Sequence, residues 1–174
     1  KFINLSQACI PVKNFDHIYN FLIKDNNSYF NILHHEKEEY IRYHYLLNFF
    51  PRKYIFKSAN WFIINRNLAN SFISVEDNII NKIYGNIFCP EEYCYIIHIL
   101  SNQLTKELII TKDESLNATT FTNWIDINEN YYKNSGPKEY NNIANKDLEK
   151  LKKSKCLFAR KFNKDCNIYI SYNP

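Results

Sequence analysis

Two adjacent carboxylates follow a proline in the middle of the chain, in the run Pro90-Glu91-Glu92-Tyr93. A carboxylate that is held in place can take a proton from a hydroxyl group, which is the task of a general base. Successive helical residues point about 100° apart, so Glu91 and Glu92 cannot face the same target. Only one of them can serve a given site, and Glu92 flanks the apolar residues that follow. Acidic residues in a first helical turn also complement the helix dipole, and this structural interpretation stays open.

The residues after the carboxylates predict a helix. Pro90 suits a first helical position because its missing N–H costs nothing there. Tyr93, Ile96, Ile97 and Leu100 then recur at i, i+3, i+4 and i+7. This spacing is typical of a stripe that faces a core. The two carboxylates are therefore predicted to stand at the entrance of a buried helix.

The remaining segments predict an α/β fold. The continuous apolar run from Trp61 to Ile64 is typical of a strand that is buried on both faces. Asn14 is a predicted cap for a helix with an apolar stripe, and Ser74 is a predicted cap for a later one. Further strands are predicted over residues 2–5, 29–33, 107–111, 118–124, 156–162 and 168–172, and further helices over 67–72, 75–84 and from 145 or 147 to 153.

Length and composition predict one domain over residues 1–174. The chain is 45% hydrophobic and 17% aromatic, so it has enough apolar material for one core and is not a disordered tail. It contains 2 Gly and no Met, and it opens inside a predicted strand. We therefore expect it to be the later part of a longer polypeptide. No run of 18 or more apolar residues occurs, so we expect any membrane anchor to lie upstream.

The formal charge of +4 comes largely from one basic segment, since residues 146–164 contain eight Lys or Arg. Such a local segment suits the phosphates of a small ligand better than a nucleic acid, which favours charge spread along a whole face. A Lys-rich helix face that is exposed to solvent and binds no ligand would show the same sequence pattern, so this alternative stays open. The five cysteines include no Cys-x-x-Cys pair, which argues against a zinc site.

Four segments, in this order and spacing, give the chain a resemblance to a known family. They are residues 5–12 (Leu-Ser-Gln-Ala-Cys-Ile-Pro-Val), 57–66 (Lys-Ser-Ala-Asn-Trp-Phe-Ile-Ile-Asn-Arg), 90–93 (Pro-Glu-Glu-Tyr) and 157–162 (Leu-Phe-Ala-Arg-Lys-Phe). The chain resembles the core-2/I-branching family of glycosyltransferases, which includes branching β-1,6-N-acetylglucosaminyltransferases, peptide O-xylosyltransferases and plant relatives. The resemblance begins at a middle strand of the family's domain, so we expect the N-terminal nucleotide-binding half to be absent.

The resemblance implies a GT-A-like, inverting transferase with a mixed sheet flanked by helices and no need for a metal or other cofactor. Glu92 matches the family's catalytic base, and a helix entrance is expected to keep it ionised. Lys161 matches a lysine that binds the diphosphate of the donor. Lys138 falls where the branching enzymes carry an Arg, so the charge is kept and the bidentate fork is lost. An ordinary surface lysine remains the alternative for Lys161.

The resemblance also implies where an acceptor would bind. Trp124 falls at an aromatic position of the family's acceptor site, where a ring can pack on the apolar face of a sugar; a buried core Trp is the alternative. Lys37 falls near the acceptor-binding loop. The neighbouring Arg of the branching enzymes is replaced by Tyr40 here, which leaves the acceptor's identity open.

The function expected from the sequence is transfer of N-acetylglucosamine or xylose from a UDP-sugar to a hydroxyl of a glycan or glycoprotein. By resemblance, the expected location is the lumenal side of the Golgi or another secretory membrane, and a viral or protist source is also compatible with the composition. A glycan-binding relative without activity is the second hypothesis. A basic nucleic-acid-binding module ranks below both, because the basic segment is short and the aromatic residues mostly follow core periodicities.

Overall fold

The computed structural model describes residues 1–33, 40–111, 119–123 and 137–168. The chain divides into two compact units. The first comprises Lys1–Asn4 and Asn26–Asp113, and the second comprises Leu5–Asp25 and Glu114–Pro174. Both contain helices and strands, so the predicted α/β class is confirmed. The single domain over residues 1–174 and its GT-A-like type stay predictions.

The described residues form ten strands and six α-helices. The strands are β1 (Phe2–Ile3), β2 (Ile10–Pro11), β3 (Ser28–Leu33), β4 (Lys57–Ser58), β5 (Ile63–Ile64), β6 (Leu108–Thr111), β7 (Thr120–Thr122), β8 (Tyr140–Asn142), β9 (Phe158–Arg160) and β10 (Phe162–Asn167). The helices are α1 (Phe15–Ile23), α2 (Tyr40–Leu46), α3 (Arg66–Ile73), α4 (Asp77–Tyr84), α5 (Cys94–Ser101) and α6 (Asn145–Lys153). Two 3₁₀ turns, Arg52–Tyr54 and Pro90–Glu92, complete the regular structure of this part.

The sheet of the first unit is built around β3. Strand β6 runs parallel to it, with Ser28 opposite Leu108, while β4 and β5 pair with it in the antiparallel sense. Strand β1 pairs with β5 in the antiparallel sense. The sheet therefore mixes both directions. Within the predicted run from Trp61, the strand proper is Ile63–Ile64, and both residues are buried as expected.

Helix α5 is the buried helix that the sequence predicts, but it begins at Cys94, and Pro90 starts a separate 3₁₀ turn that carries Glu91 and Glu92. Helix α5 contributes to two apolar clusters of the first unit. Tyr93, Ile96 and Ile97 are fully buried, and Leu100 packs against the first cluster. The first cluster contains Phe30, Phe62, Ile64, Leu68, Ile96 and Ile99, and the second contains Leu46, Ile55, Tyr84, Ile87, Tyr93 and Ile97. Burying an aliphatic or aromatic side chain of this size contributes about 1.5–3 kcal/mol, so α5 fixes the 3₁₀ turn that carries Glu92.

Two local predictions have different outcomes. Asn14 caps α1 as predicted, because its side chain accepts a hydrogen bond from the backbone N–H of His17 at 2.8 Å. Ser74 does not cap α4, which was a wrong prediction. Its hydroxyl donates to the carbonyl of Ser71 at 2.8 Å, so it closes α3, and Glu76 takes the capping position of α4.

The apolar stripe of α1 is not buried against the described residues. Phe15 is 77% exposed and Tyr19 is 51% exposed, and the helix has no buried residue. The two rings stack on each other with centroids 5.8 Å apart. The period of a helix therefore identifies α1 correctly, but it does not show whether the apolar stripe is covered.

The second unit contains two small sheets. Strand β9 pairs with β2 in the antiparallel sense and with β7 in the parallel sense, and β8 pairs with β10 in the parallel sense. Its buried core consists of Val12, Tyr140, Leu151, Ala159 and Phe162. Helix α6 supplies Leu151 to this core. The five cysteines form no disulfide bond in the described part of the chain.

Candidate active site

The side chain of Glu92 lies beside the ammonium of Lys57. One carboxylate oxygen of Glu92 is 3.7 Å from Lys57 Nζ, and the two side chains are 23% and 17% exposed. The hydroxyl of Ser58 donates to the backbone carbonyl of Glu92 at 3.4 Å. Strand β4 therefore positions both the side chain and the backbone of the predicted base. The carboxylate is held in place yet remains accessible to solvent.

Glu91 has a different partner, as expected from its different direction on the turn. The side-chain amide of Asn60 donates to Glu91 Oε1 at 3.3 Å. Residues 57–60 thus hold both carboxylates of the 3₁₀ turn, one through Lys57 and the other through Asn60. Two of the four segments that carry the family resemblance are therefore in contact with each other.

The other two resemblance segments pair with each other in the second unit. Strands β2 and β9 place Ile10 opposite Ala159. The backbone N–H of Phe162 donates to the carbonyl of Ala8 at 3.0 Å, and that of Val12 donates to Leu157 at 2.9 Å. These contacts fix the backbone on both sides of Lys161.

Arg160, beside Lys161, contacts the first of these segments through its side chain. Burial lowers the pKa of the Arg160 guanidinium, while the charge of Cys9 and a hydrogen bond to that thiol oppose the shift. Cys9 also accepts a hydrogen bond from the backbone N–H of Ser6 at 3.4 Å. Because a guanidinium has a very high pKa of its own, Arg160 stays a cation. It links the two segments rather than acting as an acid or base.

Lys138 and Lys161 are brought together by the backbone. The N–H of Tyr140 donates to the carbonyl of Lys161 at 2.7 Å, and the N–H of Lys161 approaches the carbonyl of Lys138 at 3.5 Å. Lys161 thus lies beside the short stretch 138–140, where β8 begins. The two predicted phosphate-binding residues are neighbours in the fold although they are distant in sequence.

Each of these lysines pairs with a carboxylate. Lys138 Nζ is 3.1 Å from Asp147 Oδ2 and lies 5.2 Å from the centroid of the Tyr140 ring. Lys161 Nζ is 3.3 Å from Glu139 Oε2. The first pair is the more enclosed, with Asp147 only 11% exposed in its side chain, whereas Lys161 and Glu139 are 40% and 44% exposed. A phosphate ligand would meet the second pair in a largely solvated setting.

The sequence did not single out the three partners Lys57, Asp147 and Glu139 as functional residues. Lys57 belongs to the resemblance segment 57–66, Asp147 is a predicted start of a helix, and Glu139 adjoins Lys138. Alternation of charge was the available signal for Asp147 and Glu139, whereas no acidic residue stands near Lys57 in the sequence. Such alternation is common on solvated surfaces, so it does not identify a pair.

The predicted residues fall into separate parts of the chain. Glu92 belongs to the first unit, and Lys138 and Lys161 belong to the second. Their convergence around one substrate therefore stays a prediction. Trp124 and Lys37, the predicted acceptor-binding residues, lie outside the described residues.

Other reactive side chains near Glu92 are less suited to proton transfer at neutral pH. Burial raises the pKa of the Cys94 thiol to about 11, and the nearby Glu91 carboxylate adds to the increase. Burial also raises the pKa of Tyr95, with Cys94 and Glu91 adding to it. Both groups are protonated at neutral pH. A carboxylate on the 3₁₀ turn is therefore better suited to accept a proton than the Cys94 thiol or the Tyr95 hydroxyl.

The described residues contain no group of three or more His, Cys, Asp or Glu side chains arranged to hold a metal ion. The chain also lacks an Asp-x-Asp sequence, the motif that holds a divalent ion in most GT-A enzymes. The predicted independence from metal stays a prediction.

A family model described as Core-2/I-Branching enzyme matches residues 1–153. The chain belongs to the core-2/I-branching family. It is therefore a member of a glycosyltransferase family, as the four segments predicted. The match includes the Glu92 turn and Lys138, and it ends before Lys161. No curated protein and no solved structure matches the chain.

None of the helices in the described ranges combines the length and the apolarity that a membrane span requires.

Proposed function

We propose that this core-2/I-branching chain is the catalytic and acceptor part of an inverting, GT-A-like glycosyltransferase. It would transfer N-acetylglucosamine or xylose from a UDP-sugar to a hydroxyl of a glycan or glycoprotein, on the lumenal side of a secretory membrane such as the Golgi. Its partners would be the donor and the acceptor, and the reaction would need no metal.

The observation that carries the proposal is the placement of Glu92. Family membership supplies glycosyl transfer as the reaction class, and an inverting transfer needs one base beside the acceptor hydroxyl. Glu92 lies on a turn fixed by Pro90 and by the buried helix α5, and its carboxylate is held by Lys57 while remaining partly exposed. The carboxylate therefore has a fixed position and is still accessible to a substrate.

In the proposed reaction Glu92 removes the proton of the acceptor hydroxyl as its oxygen attacks the anomeric carbon. The bond from that carbon to the donor's diphosphate breaks on the opposite face, and UDP leaves with the electron pair. The leaving oxygens gain negative charge, which ammonium groups of Lys138 and Lys161 would stabilise. Trp124 and Lys37 would contact the acceptor.

The proposal is tested by incubating the protein with UDP-N-acetylglucosamine or UDP-xylose and hydroxyl acceptors, and by determining the anomeric configuration of the product by NMR. The α-linked donor should give a β-linked product. A product that retains the α configuration would contradict the single-base mechanism. Glycan binding without any transfer would favour the non-catalytic relative instead.

A further inference from the structure

The two lysines assigned to the diphosphate differ in how firmly each is held. Asp147, the partner of Lys138, is 8% exposed as a residue and belongs to α6, which packs on the core of the second unit through Leu151. Removing Lys138 from this carboxylate would leave a largely buried charge without its cation, which is unfavourable. Lys138 is therefore expected to keep its pairing with Asp147 when a ligand binds.

The contact between Lys161 and Glu139 is of a different kind. The side chains of Lys161 and Glu139 are 40% and 44% exposed, and Lys161 Nζ lies 3.3 Å from Glu139 Oε2. Exposed pairs of this kind contribute little to stability and exchange readily with solvent. The backbone bonds that flank Lys161 fix its position beside residues 138–140, so Glu139 stays within reach of the ammonium. A diphosphate that approaches Lys161 must compete with this carboxylate.

We propose that Glu139 is an internal competitor for the diphosphate of the nucleotide. In the free protein the Glu139 carboxylate pairs with the Lys161 ammonium. When a diphosphate binds, the phosphate replaces Glu139 as the partner of Lys161. The negative charge of Glu139 then lies next to the bound phosphates and weakens their affinity. The consequence is weaker retention of UDP, the product that must leave after each transfer. This inference rests on the proposed role of Lys161.

The experiment measures the affinity of the protein for UDP by calorimetry, with inorganic pyrophosphate titrated in parallel because it presents the diphosphate without uridine. Glu139→Gln should tighten both ligands by about two- to fivefold, which is the range that exposed ion pairs supply. The matched control is Glu149→Gln, since Glu149 forms an exposed pair with Lys152 at 3.8 Å on α6. This control removes the same charge and should leave both affinities unchanged.

A second pair of variants separates competition at Lys161 from a general effect of charge. In a Lys161→Ala background, Glu139→Gln should no longer tighten either ligand. Equal tightening by Glu139→Gln and Glu149→Gln, or tightening that persists without Lys161, would overturn the proposal. So would ligand binding by the unaltered protein with no change in Glu139→Gln, and this result would leave the proposed glycosyl transfer standing. Failure of the unaltered protein to bind either ligand would overturn the role of Lys161 and the competition together.

Discussion

The ammonium nitrogen of Lys57 lies 3.7 Å from a carboxylate oxygen of Glu92, and this contact joins two segments that are distant in the sequence. Both side chains are mostly shielded from solvent, so the pair has a defined geometry. The contact gives β4 a role beyond its pairing with β3. It indicates that Lys57 positions the proposed base.

Replacing Lys57 with Met should therefore lower kcat by about 10- to 100-fold, the loss expected when a reacting group is displaced by about 1 Å. KM for the donor should change much less, since Lys57 does not bind the nucleotide in this account. Lys57→Arg keeps a cation and should restore most of the rate. The control Lys53→Met removes an exposed lysine from the nearby 3₁₀ turn and should leave kcat unchanged. An unaltered kcat in Lys57→Met would show that Glu92 needs no help from this residue.

Because the ion pair between Lys138 and Asp147 is largely enclosed, we expect a substitution that removes it to destabilise the protein. Asp147→Asn removes the charged acceptor that lies 3.1 Å from Lys138 Nζ. Hydrogen bonds to charged groups contribute about 1.5–3 kcal/mol, and partial exposure of Lys138 places the expected loss in free energy of unfolding at about 1–2 kcal/mol. Urea denaturation measures this change. Glu149→Gln on the same helix should change it by less than about 0.5 kcal/mol, and an equal loss in both variants would contradict the difference in burial.

His98 predicts a dependence of stability on pH. Burial lowers the pKa of His98, whose ring lies edge-on to Phe72 at 5.4 Å and whose Nε2 has no hydrogen-bond partner among the described residues. The folded state therefore binds a proton less readily than the unfolded state. As pH falls through the ordinary histidine pKa of about 6.5, the unfolded state takes up the proton first and stability decreases. Above that pH the unfavourable contribution disappears.

Denaturation at pH 7.5 and at pH 5.5 tests this sign. His98→Phe should reduce the loss of stability between the two values, because the side chain that titrates is gone. His17→Gln, at an exposed position of α1, should leave the loss as it is in the unaltered protein. A larger loss in His98→Phe than in the unaltered protein would contradict the assignment.

The fold of the first unit could be predicted from the sequence where the spacing of apolar residues and a local residue preference, such as a proline at a turn, indicated the same element. Helix α5 shows this, because the stripe from Tyr93 marks its buried side and Pro90 marks the 3₁₀ turn that leads into it, although the helix itself begins only at Cys94. Helix α1 shows the limit, since Asn14 and the stripe identify the helix but cannot tell whether anything covers Phe15. Whether the Phe15 side chain is buried depends on residues that are far from it in the sequence. Local patterns in the sequence do not show which of those residues pack against it.

The candidate site was predictable only in part, for a similar reason. Motif resemblance identified Glu92 and Lys161 as residues of interest, but it could not identify Lys57 or Glu139 as their partners. Such pairs depend on strand register. The pairing of β4 with β3 and the position of residues 138–140 beside Lys161 are set by contacts across the chain, and a change of register by one residue would remove either pair.

The proposed use of lysines at the diphosphate predicts how transfer responds to chelators. Activity should survive an excess of EDTA, because ammonium groups rather than a divalent ion would stabilise the charge of the leaving UDP. Turnover is measured before and after prolonged dialysis against the chelator, and again after addition of manganese. Loss of activity on dialysis and its recovery with manganese would contradict the proposed mechanism.

Glu91 and Glu92 form a matched pair for the central claim, since they are adjacent, equally charged and both partly buried on the same 3₁₀ turn. The most direct test is the turnover number for sugar transfer in Glu92→Gln and in Glu91→Gln. Glu92→Gln should lower kcat by about 10²- to 10⁴-fold, as expected for loss of a general base, while UDP binding is retained. Glu91→Gln should stay within about threefold of the unaltered protein, since a Gln keeps an oxygen that can accept the hydrogen bond from Asn60 and changes away from the reacting groups usually have small effects. Near-normal turnover in Glu92→Gln, or an equal loss in both variants, would contradict the assignment of Glu92 as the base.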